Sequence, residues 1–203
     1  MNEIKSILLV GAGAVGSSVA HKLHDKNPGT VHVLAGGERA QRYRDQGLVI
    51  NEQRYDLPIM EPAANSAASE AVDLILVAVK QYHLTAAIED MRHYVGKNTV
   101  ILSLMNGITS ESELGEAFGQ EKILYGLVIG IDGNRTGNQV RFTSAGTIVF
   151  GEAQNCEWSD RVAKIAQLFD AAGVIYSVPD DMLHALWYKF MINVGINQVS
   201  GVL

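Results

Sequence analysis

Thiols are almost absent: among 203 residues there is one cysteine, Cys156. A lone thiol closes no internal disulfide and offers no thiolate cluster to a metal. Basic blocks are missing too. With a net charge of −6 and no run of Lys and Arg to neutralise phosphates along a duplex, no nucleic-acid partner is expected. No uninterrupted apolar run reaches about 18 residues, so no membrane partner is expected either. The N-terminus leads straight into a strand pattern without a signal-peptide arrangement, which makes the cytoplasm the expected location. His21, His24, His32, His83, His93 and His184 lack metal-ligand spacing, so no metal is expected. Nucleophile elbows, repeats and low-complexity tracts are also lacking.

What the chain does have is enough apolar material, 47% of residues, for one good-sized core and the beginning of a second. Ile4, Ile7, Leu8, Leu9 and Val10 form an apolar run that reads as a buried parallel strand. Gly11-Ala12-Gly13-Ala14-Val15-Gly16 follows, then a helical pattern through Val19, Ala20 and Leu23. In a strand, G-x-G-x-x-G, helix arrangement the first glycine permits the tight turn and the second lets a pyrophosphate approach the backbone. The third lets the helix pack on the strand. Orphan N–H groups at the helix start then favour an anion.

Alternating strands and helices continue from there, the pattern of an α/β, Rossmann-type doubly wound, mostly parallel sheet. Val31–Ala35 reads as the second strand, 38–46 as a helix, and 48–50 with 57–60 as a small β pair. Residues 62–69 read as a loop. Strands are expected at 73–79 and 99–104, with a helix at 84–94 between them. Further strands are expected at 123–131, 140–143 and 147–151, the last two flanking a turn at 144–146. A helix at 158–172 closed by Gly173 precedes a last strand at 174–178. Pro179 marks the expected boundary between a dinucleotide-binding domain, 1–178, and the start of a helical substrate domain, 179–203.

An acidic residue at the end of the second strand would bind the ribose hydroxyl of NAD, and none stands there. Gly36-Gly37-Glu38-Arg39 follows instead, and Arg39 or Arg42 could fork onto a 2′-phosphate. NADP, as NADPH, is the expected cofactor. Ligands of open parallel sheets collect at the carboxyl ends of strands, which draws attention to Lys80 and to Asn106-Gly107. Each also has a plain reading as turn chemistry.

In the apolar stretch 182–203, Lys189, Asn193 and Asn197 recur every four residues, so on an α-helix they share one face. Burying an unpaired ammonium or amide costs several kcal/mol, so the stripe must meet solvent, a polar partner or a ligand. Snorkelling to solvent is the plain alternative.

The glycine turn, Val79-Lys80, Asn106-Gly107-Ile108 and Trp187-Tyr188-Lys189-Phe190 followed by Asn193 and Asn197 together resemble the ketopantoate reductase (2-dehydropantoate 2-reductase) family. The resemblance runs the length of the chain. It implies NADPH-dependent reduction of 2-dehydropantoate to pantoate, on the way to pantothenate and coenzyme A. By the same resemblance Lys189 matches the proton donor, Asn193 and Asn197 the substrate-binding amides, Asn106 a residue near cofactor and substrate, and Lys80 one beside the cofactor. The backbone from Gly11 to Gly16 and Arg39 would hold the dinucleotide. Three departures stand out. Gly36 or Gly37 occupies the place of a frequent arginine, and His83 stands where glutamine is usual, with Gln81 nearer. The resemblance also implies an all-helical second domain, bringing a serine and a glutamate to the substrate, of which this sequence holds only the first helix. Alone, the chain is expected to turn over negligibly. A non-catalytic NADP-binding sensor, or a reductase of another 2-keto acid, carries the same residues, and homodimerisation is a further expectation for an apolar terminal helix.

Overall fold

A computed structural model describes residues 3–62 and 71–197 of the protein. The first strand, β1 (Ile7–Val10), is buried on both faces, and its side chains alternate between two cores. Ile7 and Leu9 join one with α1 (Ala14–Lys26) and α5 (Asp160–Ala172), while Leu8 and Val10 join the other with α3 (Leu84–Met91) and α4 (Ser110–Phe118). Helices on both faces of the strand explain why it reads as a continuous apolar run rather than an alternating one.

Around β1 stand β2 (Val31–Leu34), β5 (Ile59–Met60), β6 (Leu74–Val77), β7 (Val100–Ser103), β8 (Ile123–Ile131), β11 (Ala145–Gly151) and β12 (Tyr176–Ser177). Their order is β12-β11-β8-β7-β6-β1-β2-β5. From β5 to β8 every pairing is parallel, and β11 turns antiparallel against β8. The chain leaves β1 toward β2 and returns to its other side at β6, so the carboxyl end of β1 is a topological switch point, where ligands bind in such sheets. The antiparallel end is fixed by stacked rings: Phe150 of β11 and Phe169 of α5 meet edge to face at 5.4 Å, with Tyr176 of β12 5.7 Å from Phe150. Aromatic pairs of this geometry add roughly 0.5–1.5 kcal/mol beyond their buried area.

A second, four-stranded sheet was not expected. It has the order β4-β3-β10-β9, with β3 (Leu48–Ile50), β4 (Gln53–Tyr55), β9 (Asn134–Thr136) and β10 (Gln139–Arg141). It corrects two sequence expectations. Residues 48–50 pair with 53–55, not with 57–60, because Asn51 and Glu52 take positive φ and close a two-residue hairpin. Residues 59–60 instead extend the main sheet beside β2. Likewise, 140–143 and 147–151 do not flank one turn as partners: β10 pairs with β9 and β3, whereas β11 pairs with β8. Helix α4 was also unforeseen, since its Ser-Glu-Ser-Glu opening looks like a polar loop. The loop expected at 62–69 falls almost wholly outside the described residues.

Between β2 and β3 lies α2 (Gly37–Gln46). The last helix, α6 (Met182–Ile192), starts at an Asp181 cap whose side chain accepts the His184 N–H. Met182 and Leu186 pack on Leu127 of β8 and Val149 of β11. At Asn193 the α-helix gives way to a π turn, Asn193–Asn197, so the expected unbroken α-helical stripe is corrected: the looser winding breaks the four-residue phase after Asn193. Among the described residues no helix is long and apolar enough to cross a membrane.

Candidate functional site

The three glycines of the turn do three different steric jobs. Gly11 has φ +105°, and a Cβ there would stand 2.6 Å from the Ala78 carbonyl oxygen at the end of β6. A Cβ on Gly16 would lie 2.1 Å from the Gly11 oxygen and 2.9 Å from Leu9 Cδ1, so only glycine lets α1 sit this close to β1. Gly13 is different: nothing lies within 4 Å of its hypothetical Cβ. It caps α1 with no side-chain acceptor, and no acidic residue occupies the first turn. The free N–H groups and positive end of a 13-residue helix therefore open onto a cavity of about 480 Å³. That cradle fits a dinucleotide pyrophosphate.

Arg39 and Tyr43 of α2 line one side of this cavity, and Lys80 and His83 another. Gly11, Ala12, Gly13 and Ala14 line its floor, whereas Val15 and Gly16 lie on the helix behind. Arg42 is exposed and does not line it. Gln81 does not line it either, its amide donating to Glu113 Oε1 at 2.7 Å. Three residues that sequence reasoning missed line the cavity from the second sheet and its approach: Gly133, Asn134 and Arg135. A Cβ on Gly133 would come within 2.5 Å of Ala14 Cβ, so this segment lies directly against the glycine turn.

Near the carboxyl ends of the strands the last helix meets the loop after β7. Lys189 Nζ donates to Asn106 Oδ1 at 2.9 Å, joining α6 to the loop that leaves β7. Lys189 is half-buried, and burial pulls its pKa below the ordinary lysine value. Asn106 is exposed and lies beside Gly107, whose φ of +111° suits only glycine at low cost. Strand β7 lies two places from β1, a lateral offset of about 10 Å from the glycine turn along the same sheet edge. Asn193 is half-buried at the start of the π turn, one turn beyond Lys189. Asn197 ends that turn, and its side chain lies outside the described residues.

Beneath the Asn106 loop is a buried network absent from the sequence reading. Ser103 Oγ and Ser110 Oγ are 2.8 Å apart, and Ser110 donates to Glu111 Oε2 at 2.9 Å. The Met105 N–H donates to Ser103 Oγ at 3.4 Å, which ties the loop's start to the network. Glu111 is 3% exposed, and its Oε1 has no partner of good geometry among the described residues. Burial raises its pKa by more than the Ser110 hydroxyl and nearby N–H groups lower it.

The sheet order and the glycine turn define a dinucleotide-type α/β domain. A family model described as ketopantoate reductase PanE/ApbA matches residues 7–155, and the chain belongs to that family. It is 26% identical over 185 residues to an uncharacterised oxidoreductase, YkpB, of Bacillus subtilis, covering 91% of this chain and 60% of that protein. It is 29% identical over 212 residues to a 2-dehydropantoate 2-reductase of a Nostoc strain, covering 100% of this chain and 65% of the relative. Among solved structures, a ketopantoate reductase-like protein of Ralstonia solanacearum shares the fold at a TM-score of 0.83 and 22% identity, over 98% of this chain and 67% of that one. D-mandelate dehydrogenase, solved with NADH and anilino(oxo)acetate, matches at 0.81 and 25%, over 96% and 63%. The chain thus spans about three-fifths of the length of the curated relatives it matches.

Proposed function

We propose that this chain is the cofactor-binding part of an NADPH-dependent reductase of 2-dehydropantoate, with residues 179–203 opening its helical substrate domain. The observation that carries the reading is the 2.9 Å contact between Lys189 Nζ and Asn106 Oδ1, on the sheet edge where the glycine turn opens its cavity. The turn from Gly11 to Ala14, with the free N–H groups at the start of α1, would hold the pyrophosphate, and Lys80 lines the same cavity. A reduced nicotinamide held there would supply the hydride for a 2-keto carbon, with negative charge developing on the keto oxygen.

Lys189 neutralises that charge and gives its proton to the oxygen, leaving a neutral amine. General-acid help of this kind is worth roughly 10² to 10⁴ in rate. Asn106 aims the ammonium without neutralising it, since an amide oxygen accepts a hydrogen bond but carries no net charge. A carboxylate in its place would raise the lysine pKa and weaken the acid. Asn193, and Asn197 beyond it, would hold the substrate hydroxyl or carboxylate. Cys156, the single thiol, fits a reducing compartment, and we take the reaction to run in the cytoplasm.

A second reading, reduction of another 2-keto acid with NADH, is favoured by the likeness to D-mandelate dehydrogenase. One experiment separates the readings: oxidation of NADPH and of NADH by the full gene product against 2-dehydropantoate and a panel of branched and aromatic 2-keto acids. We expect 2-dehydropantoate with NADPH to be turned over fastest, and Lys189→Ala to cut turnover about 10²- to 10⁴-fold. Preference for another acid defeats the substrate assignment; no turnover of any acid favours a cofactor-binding sensor.

A further inference from the structure

We propose that Arg135, contributed by the second sheet, reads the 2′-phosphate of the dinucleotide together with Arg39, and so sets the cofactor preference of this chain. The inference rests on the reading of the glycine-lined cavity as a dinucleotide site. Arg44, Arg54, Arg92, Arg141 and Arg161 each pair with a carboxylate. Among the described residues Arg39, Arg42 and Arg135 remain without one, and two of these three, Arg39 and Arg135, line the cavity.

The Arg135 guanidinium is half-buried and held only by neutral acceptors. It donates from Nη1 to the Ala12 carbonyl at 2.5 Å, from Nη2 to the Tyr43 hydroxyl at 2.7 Å, and from Nε to the Gly137 carbonyl at 2.8 Å. Its carbon lies 5.8 Å from the centre of the Tyr43 ring. A guanidinium withdrawn from water and left without a counter-charge is a prepared anion receptor, and a phosphate takes its planar fork better than an ammonium point charge.

Position decides which phosphate. Ala12 belongs to the glycine turn, while Tyr43 stands one helical turn after Arg39 on α2, so the two share a face. Arg39 and Arg135 therefore converge near the end of β2, where the adenosine ribose of a dinucleotide lies. Gly36-Gly37 stands where an acidic residue would otherwise bind the free 2′-hydroxyl and repel a phosphate there. Strand β9, which carries Arg135, is anchored through β10 to β3, so the cation arrives on a paired strand rather than on a free loop.

Calorimetric titration of the chain with NADPH and with NADH tests this. Wild type is expected to bind NADPH at least tenfold more tightly than NADH. Arg135→Ala should weaken NADPH by about ten- to hundredfold, the worth of a charged hydrogen bond, and NADH by less than threefold. Arg135→Gln keeps N–H donors for Ala12 and Tyr43 without the charge, and should lose NADPH as the alanine variant does. Arg135→Lys should retain part of the preference. If the alanine variant does not fold, the glutamine and lysine variants carry the comparison. Equal weakening of both cofactors would make Arg135 a pyrophosphate contact or a brace for the turn, and unchanged affinities would make it a surface group; either overturns the proposal. Wild type binding neither dinucleotide would overturn the underlying cofactor reading as well, an outcome distinct from both.

Discussion

Alanine at Gly13 and alanine at Gly16 should separate what the glycine turn does for the ligand from what it does for the fold. Gly13 has φ −81°, ordinary for any residue, and an added Cβ meets no atom within 4 Å. Alanine is a poorer helix cap than glycine by a fraction of a kcal/mol to about 1, while reduced freedom of the unfolded chain returns about 0.4–1 kcal/mol. These nearly cancel, so the melting temperature of Gly13→Ala should lie within a few degrees of wild type. The new methyl, however, enters the space a pyrophosphate must occupy to reach the α1 N–H groups. In wild type, NADPH at a hundred times its Kd should stabilise by about 2.7 kcal/mol. For a chain of this size that raises the melting temperature by roughly 5–10 °C.

In Gly13→Ala most of that rise should vanish. At Gly16 the Cβ would sit 2.1 Å from a backbone oxygen, so α1 must move off β1, at a cost of about 1–3 kcal/mol, and stability and binding fall together. The assay is thermal unfolding followed by circular dichroism, with and without NADPH, checked by titration of nicotinamide fluorescence. A Gly13→Ala protein that keeps the full stabilisation by NADPH would refute the cradle.

Burial lowers the Lys189 pKa from its ordinary value, so the alkaline limb of kcat for the full gene product should begin below the ordinary lysine pKa. Lys189→Met should reduce kcat about 10²- to 10⁴-fold with little change in NADPH affinity, and a flat alkaline profile would count against the lysine as acid. Glu111 has a raised pKa in the fold, so below about pH 4.5 both folded and unfolded states hold its proton and nothing is lost. As pH rises toward the folded value the unfolded chain ionises first, and native stability falls by about 1.4 kcal/mol for every pH unit that separates the two titrations. Glu111→Gln should therefore gain melting temperature over wild type between pH 4.5 and neutrality, and a difference independent of pH would show the carboxyl to be unperturbed. Gly126→Ala should lower the melting temperature by several degrees, because its Cβ would stand 2.3 Å from the Ser103 oxygen across the β7–β8 pairing.

What the sequence made legible follows the range of the interactions involved. Strands β1 and β6 are apolar throughout, and β2 and β7 carry one polar residue each, His32 and Ser103, so burial on both faces is written in consecutive residues. The glycine turn is local in part: Gly11 takes φ +105° and a Cβ on Gly16 would meet the Gly11 oxygen within the turn, whereas the approach of Gly11 to Ala78 is long-range. By contrast, β4, β9 and β10 are three-residue strands rich in Gln, Arg, Asn and Thr, with only Tyr55 and Val140 buried. Local hairpins pair β4 with β3 and β9 with β10, but the two hairpins become one sheet only through a long-range pairing, where Val140 meets Ile50. No window of sequence contains that information. Helix α4 was in principle readable from the acids of its first turn, but it packs through Leu114, with Ser110 and Glu111 buried as polar groups, so its apolar period is weak.

The same division runs through the candidate site. Lys189 stood out because a cation in an apolar helix is locally improbable, and Lys80 and Asn106 because they end strands. Arg135 breaks no local rule: an arginine on a short polar strand is unremarkable until topology lays that strand against Ala12, 123 residues earlier in the chain. Local signals thus mark where a dinucleotide backbone would be cradled. Arg39 lies close in sequence to β2, but Arg135 reaches its place only through the second sheet, so an arginine sought only at the end of β2 accounts for half of the charge lining this cavity from the α2 side. Family members that lack the second-sheet cation should then need another beside Arg39 to discriminate a 2′-phosphate as well, and exchanging the 133–141 hairpin between such members should transfer cofactor preference without touching the glycine turn.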